Sequence, residues 1–164
     1  MGSRQGGQAE RMTRPTYETA EHLANERKAI EQVEACWGVV CKKTPQYYKI
    51  DYTVVSPTGF VVGWAEVRGK NFARETFKTF YTSLEKAMTL VRYEALTKMP
   101  ALFIVAWTDG VFCYRLRIQD LSQRQIRWDG RTVNSRGDAQ DIEPVIHIPV
   151  SEFTKVSAAL NPWE

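Results

Sequence analysis

The chain is poor in histidine and cysteine and has no long apolar run, and each shortage narrows what it can be. Its three cysteines, Cys36, Cys41 and Cys113, are odd in number, and their spacing makes neither a zinc ligand set nor a disulfide framework. They read as reduced and structural. The two histidines, His22 and His147, are isolated, and His147 within the apolar run IHI reads as a structural strand residue. No stretch approaches the roughly 18 apolar residues needed to cross a bilayer, and the N-terminus lacks the hydrophobic segment of a secretory signal, which predicts a cytosolic protein with no membrane partner. Net charge is only +3, so nothing global demands nucleic acid. What is present suits a single globular unit: 164 residues with 43% hydrophobic content are enough to bury a real core. Residues 1–16 are Gly, Gln and Arg rich without periodicity and are expected to be a mobile arm or in part a cloning remnant, leaving 17–164 as one domain. The arm's three arginines offer DNA contacts.

Positive charge is locally dense even though the total is small. Lys42, Lys43, Lys49, Arg68, Lys70, Arg74 and Lys78 form the kind of patch a phosphate backbone needs, a solvated face being the alternative. This patch surrounds a strand-turn-strand signal. The run YYKIDYTVV is rich in β-branched and aromatic residues, Ser56-Pro57-Thr58-Gly59 is turn chemistry, and FVVGWAEV is a second strand. If Val55 pairs with Phe60, Asp51 lies opposite Trp64, and the two-residue period puts Glu66 on the same side as Trp64 and Asp51. Diagonal neighbours of this kind have Cα atoms roughly 7–8 Å apart, close enough for two carboxylates to share a cation. Arg68 and Lys70 continue on that parity, while Val61, Gly63, Ala65, Val67 and Gly69 make the opposite face small and apolar enough to lie against a helix.

The rest of the chain supplies helices and further strands. A helix from Thr19 carries Leu23, Ala24, Ile30, Val33 and Cys36 or Trp37 as its apolar stripe, and Gly38 stops it. Gly38 to Lys43 is a short strand or turn leading into the hairpin. A second helix is expected from about Glu75 to Lys98, with Phe77, Phe80, Leu84, Met88, Val91 and Ala95 at helical spacing. Pro100 ends it. ALFIVAW reads as a strand buried on both faces, and Thr108-Asp109-Gly110 turns it into VFCYRLRI. Asp129-Gly130 is the strongest short hairpin signal, flanked by Arg124 to Trp128 and Arg131 to Asn134, and offers a possible homodimer element. PVIHIPV is a last strand, and Ser151 is placed to cap a short terminal helix. Trp64 and Trp107 read as core residues; Trp128 offers a stacking surface.

Hydrolysing a phosphodiester requires neutralising the scissile phosphate and generating hydroxide near neutral pH. Carboxylate-bound Mg²⁺ does both, and a nearby cation steadies the attacking water. Asp51 and Glu66 are natural ligands, with the Val67 carbonyl as a third oxygen. An aspartate on one strand, Glu-x-Arg/Lys on the next, a Glu-bearing helix before and an amphipathic helix and apolar strand after resemble the PD-(D/E)XK nuclease superfamily, over roughly residues 19–118. Within it the chain is similar to small phage and prophage nucleases of the Holliday-junction-resolvase type, through Asn25-Glu26, Trp37-Gly38, Tyr48-Lys49-Ile50-Asp51, Glu66-Val67-Arg68-Gly69-Lys70-Asn71 and Ser83-Leu84-Glu85-Lys86.

The resemblance implies an α/β, restriction-endonuclease-like fold: an αβββαβ core with a central mixed sheet flanked by helices, extended here by a C-terminal hairpin, strand and short helix. It also implies a Mg²⁺- or Mn²⁺-dependent DNA endonuclease of phage or prophage origin, acting in the host cytoplasm. Asp51, Glu66, Arg68, Lys70 and Glu26 would carry catalysis; Asp51, Glu66 and Val67 the metal; Arg74, Lys78 and Lys86 the DNA. Glu26 would add a third carboxylate from the first helix, with Glu21, Glu31 and Glu34 as alternatives. The departure is at position 68: where the family carries its catalytic lysine the chain has Arg68, which holds phosphate but cannot act as a base. Lys70, two residues on, would then take the lysine's place if the strand runs that far. Two rivals follow, a nuclease-fold DNA-binding or virion-assembly protein that has lost turnover, and a plain interaction domain with solvated hairpin charges.

Overall fold

A computed structural model of the chain describes residues 20–130 and 142–163. The expected arm at 1–16 and the strand expected at Arg131 to Asn134 lie outside the described residues. The first helix, α1, spans Ala20–Trp37, and Gly38 ends it in the left-handed region at φ 63°, its N–H donating to the Glu34 carbonyl at 2.9 Å. Three antiparallel strands follow, β1 (Val40–Lys43), β2 (Tyr52–Val55) and β3 (Val61–Gly69). After a 3₁₀ turn at Arg74–Thr76 come β4 (Thr79–Ser83) and α2 (Leu84–Thr97). Then β5 (Ala101–Trp107), β6 (Gly110–Arg115), α3 (Ile118–Leu121), β7 (Ile126–Gly130), β8 (Ile142–Pro149) and β9 (Thr154–Lys155) complete the order.

Two sheets result. The larger has the order β1-β2-β3-β5-β6-β9, with β3 and β5 parallel at its centre and the other neighbours antiparallel. The smaller is β4-β8-β7, antiparallel throughout. Period-two alternation along β5 divides the core. Leu102 and Ile104 face Ile30, Val33 and Trp37 of α1, whereas Phe103 and Val105 face Leu90 and Val91 of α2 and Ile146 and Ile148 of β8. Along β3 the same rule sends Ala65 and Val67 to α1 and leaves Trp64, Glu66 and Arg68 on the α2 side. Gly63 has no Cβ for a packing reason: one built there would stand 2.1 Å from the Trp163 ring and 2.9 Å from the Pro100 carbonyl.

Four expectations are corrected. The register of the first hairpin is Thr53 opposite Trp64 and Tyr52 opposite Ala65, so Asp51 is not opposite Trp64. The turn is one residue longer than the Val55/Phe60 pairing assumed, since the Ser56 N–H bonds the Phe60 carbonyl at 2.8 Å, and a bulge between Val54 and Val55 adds a second slip. One slip would have flipped the face; two restore it. The second helix begins at Leu84, not Glu75, because Thr79–Ser83 pairs with β8, Phe80 opposite Ile148 and Thr82 opposite Ile146. Asp129-Gly130 is not a two-residue turn: both residues are still in β7, paired with Glu143 and Ile142. The terminal helix is one 3₁₀ turn, Val150–Glu152, after which β9 extends the large sheet beside β6.

Candidate active site

Asp51 sits in the bend immediately before β2, and the loop leading to it is tied down at several points. The Thr44 N–H donates to the Asp51 carbonyl at 2.9 Å, the Thr44 hydroxyl donates to the Asp51 carbonyl at 3.1 Å and also to that of Ile50, and the Ile50 side chain is buried in the core. Glu66 is in the middle of β3 and only 1% exposed. The two carboxylates come together through the side chains between them. Arg68 Nη1 donates to Asp51 Oδ2 at 3.0 Å and to the Val67 carbonyl at 2.8 Å, and Arg68 Nη2 donates to Glu66 Oε1 at 2.5 Å. Lys86, in the first turn of α2, places its Nζ 2.8 Å from Glu66 Oε1 and 3.3 Å from Asp51 Oδ1, and donates to the Lys49 carbonyl at 3.3 Å.

Two carboxylates and two cations thus make a compact neutral cluster. Burial pushes the Glu66 carboxyl up to about 7, the Asp51 charge adds to this, and Arg68 and Lys86 pull against it. Burial alone would raise Asp51 as well, but there Arg68 and Lys86 outweigh it and hold the carboxyl below its usual range. Burial works against the Arg68 charge, while Glu66, Asp51 and Glu26 favour it and raise its pKa on balance. Neither carboxylate would tolerate this burial without its partners.

The other candidate residues lie around this cluster. Lys70 extends the ladder by one bond, its N–H donating to the Ala106 carbonyl at 2.8 Å, but its ammonium lies over the rings of Phe80 and Tyr81, 5.3 and 5.6 Å from their centroids. The ammonium beside the carboxylates is therefore that of Lys86, from the Ser83-Leu84-Glu85-Lys86 stretch. Glu26 lines the same cleft as Arg68 and pairs with Lys43 at 3.7 Å. Glu31 and Glu34 are engaged with Arg27 at 3.1 and 3.8 Å. Arg74 donates to the Val150 carbonyl at 3.2 Å and to Glu75 at 2.8 Å, and Lys78 is exposed.

A cleft of about 970 Å³ opens beside the cluster. Asn25 and Glu26 of α1 form one side, Arg68 to Phe72 the floor, and β4 with β8 the other side. Arg68 lines it; Asp51, Glu66 and Lys86 do not. Sequence reasoning missed the far wall, where Tyr81 and His147 rings meet at 5.9 Å and His147 Nδ1 lies 3.1 Å from the Thr79 hydroxyl. No local signal marks it, because the wall exists only once β4 pairs with β8, more than sixty residues away.

Among the described residues, no group of three or more His, Cys, Asp or Glu side chains is placed to hold a metal ion. Two carboxylates and a carbonyl do converge, since all three oxygens reach one guanidinium. Such a set suits a hard cation that takes its remaining ligands from water and phosphate. The residues fit, with Arg68 occupying the position such a cation would need.

A family model described as "Phage putative PDDEXK endonuclease" matches residues 12–156. No curated protein matches the sequence. Among solved structures, the chain is similar to Hjc, a Holliday junction resolvase from the archaeal hyperthermophile Archaeoglobus fulgidus, with a TM-score of 0.54 at 10% identity, covering 84% of this chain and 93% of that one. At that identity the likeness is one of fold, a mixed sheet flanked by helices.

Proposed function

Because the chain belongs to the phage PDDEXK endonuclease family, we propose that it is a divalent-metal-dependent DNA endonuclease whose centre is Asp51, Glu66 and the Val67 carbonyl. The observation that carries this reading is the convergence of those three oxygens on one guanidinium beside an open cleft. When bound there, Mg²⁺ or Mn²⁺ supplies a Lewis acid for the scissile phosphate and a water of lowered pKa. The chain's own residues do the rest. Arg68 presents a planar fork to the phosphate. Lys86 keeps an ammonium beside both carboxylates and orients the attacking water. Lys70, Arg74 and Lys78 follow the backbone without reading sequence. Glu26, at the cleft edge, adds a carboxylate outside the central pair. Phage or prophage origin, DNA as partner and action in the host cytoplasm complete the reading. Self-association through the exposed β7 strand is tested by sedimentation equilibrium.

Nicking of supercoiled plasmid tests the reading. Cleavage is expected with Mg²⁺ or Mn²⁺, none with EDTA, and none from Asp51→Asn or Glu66→Gln. One observation favours a second reading, a DNA-binding protein without turnover whose carboxylate pair is permanently neutralised: Arg68 already satisfies all three oxygens. Salt-dependent DNA binding with no cleavage under any metal would select it.

A further inference from the structure

The charges of the cluster sum to zero, and this constrains how a divalent cation can enter. With both carboxylates ionised, Asp51 and Glu66 contribute two negative charges and Arg68 and Lys86 two positive ones. A divalent ion added to the intact cluster would leave an excess of two positive charges around a carboxylate that is 1% exposed. Uncompensated charge in such a place is strongly disfavoured. Either a resident cation leaves or an anion arrives. Arg68 is the resident that can serve both remedies. It bonds all three candidate ligand oxygens, it is the member of the cluster that lines the cleft, and its side chain is 34% exposed. Lys86, at 30% exposure, is anchored additionally by the Lys49 carbonyl and does not line the cleft. Released from the oxygens, the guanidinium fork needs only to turn toward the cleft to meet a phosphate, for which its geometry is suited.

We propose that Arg68 is a place-holder cation: it neutralises the three oxygens in the metal-free protein and passes to a DNA phosphate as a metal ion takes them, so that metal and DNA load together. This rests on the nuclease reading above and deepens it by giving the departure at position 68 a role in regulation. Linkage then requires reciprocity, DNA raising metal affinity by the factor by which metal raises DNA affinity. Metal alone should bind weakly.

The test is calorimetric titration of Mn²⁺, without DNA, into wild type, Arg68→Gln, Arg68→Ala and Arg68→Lys, each checked for folding by circular dichroism. Arg68→Gln and Arg68→Ala are expected to bind Mn²⁺ at least about tenfold tighter than wild type, a modest share of what removing a unit charge a few ångströms away would give. Arg68→Lys, which keeps the charge, should stay within about threefold of wild type, and Arg68→Gln serves if the alanine variant does not fold. In a second arm Ca²⁺ is titrated with and without a saturating oligonucleotide, as duplex and as single strand; DNA should tighten Ca²⁺ binding at least about tenfold in wild type and much less in Arg68→Gln. Equal or weaker Mn²⁺ binding by Arg68→Gln, or wild-type Ca²⁺ binding indifferent to both oligonucleotides, overturns the place-holder. If that happens while wild type still cleaves DNA, the nuclease reading survives alone. Tighter Mn²⁺ binding by Arg68→Gln together with coupled loading, but no cleavage by wild type, would support the place-holder and sink the nuclease reading.

Discussion

The centre of the larger sheet and the outer strand of the smaller one sit in opposite environments. In the six-stranded sheet β5 is buried along nearly its whole length, with α1 covering one face and α2 and the smaller sheet the other. In the three-stranded sheet β7 has four exposed positions of five, and Trp128 is 74% exposed. The first sheet supports the charge cluster from below; the second covers the α2-side core with Phe80, Ile146 and Ile148, supplies a wall of the cleft and leaves its outer strand β7 exposed. A site that must hold two buried carboxylates needs the rigid support, because packing is what fixes side chains against their desolvation cost. A wall needs only to be present.

Breaking the comparison by packing should give the largest effect. Phe103→Ala, at a site of 0% exposure, is expected to lose about 3–5 kcal/mol in urea unfolding. Trp128→Ala should stay within about 0.5 kcal/mol. Comparable losses would mean that β7 is as much a part of the core as β5.

Catalytic substitutions sharpen the same contrast. Glu66→Gln is expected to lower single-turnover cleavage about a hundredfold or more while the fold persists. His147→Ala, on the wall, should cost less than about tenfold, since it touches neither carboxylate. Between the lysines, Lys86→Ala should remove most cleavage with DNA binding retained. Lys70→Ala should instead weaken DNA binding for all sequences alike and reduce the salt slope by about one. A Lys70→Ala protein that binds DNA normally and does not cut would reverse these assignments.

The smallest effect concerns thiols of the sealed sheet. Burial pushes Cys41 up to about 12 and Cys113 up to about 11, so at pH 8 both should resist alkylation until the protein unfolds, while the half-buried Cys36 reacts first. Rapid labelling of all three in mass spectrometry would show that the large sheet opens readily.

Much of the larger sheet was legible because its signals are local. The Ser56 to Gly59 turn, the left-handed Gly38 and the continuous apolar β5 each declare themselves within a few residues. Even the mistaken register left Asp51 and Glu66 on one face, since the two slips cancel in parity. The smaller sheet was illegible for the converse reason. Phe77, Phe80 and Leu84 satisfy a helical spacing, and only pairing with β8 shows that Phe80 and Thr82 alternate as strand residues. The site divides likewise. Its carboxylates follow from strand parity, but Lys86 reaches them through helix-on-sheet packing, and the bonding of Arg68 to three oxygens depends on a rotamer that no sequence period encodes.

The most direct measurement is an anomalous difference map from crystals of the protein soaked in Mn²⁺ with an oligonucleotide. The expected result is a peak at coordination distance, roughly 2.0–2.6 Å, from a carboxylate oxygen of Asp51, one of Glu66 and the Val67 carbonyl, with the Arg68 guanidinium moved toward a phosphate. A peak bound elsewhere, or none at those oxygens with DNA present in the cleft, would contradict the assignment of the centre.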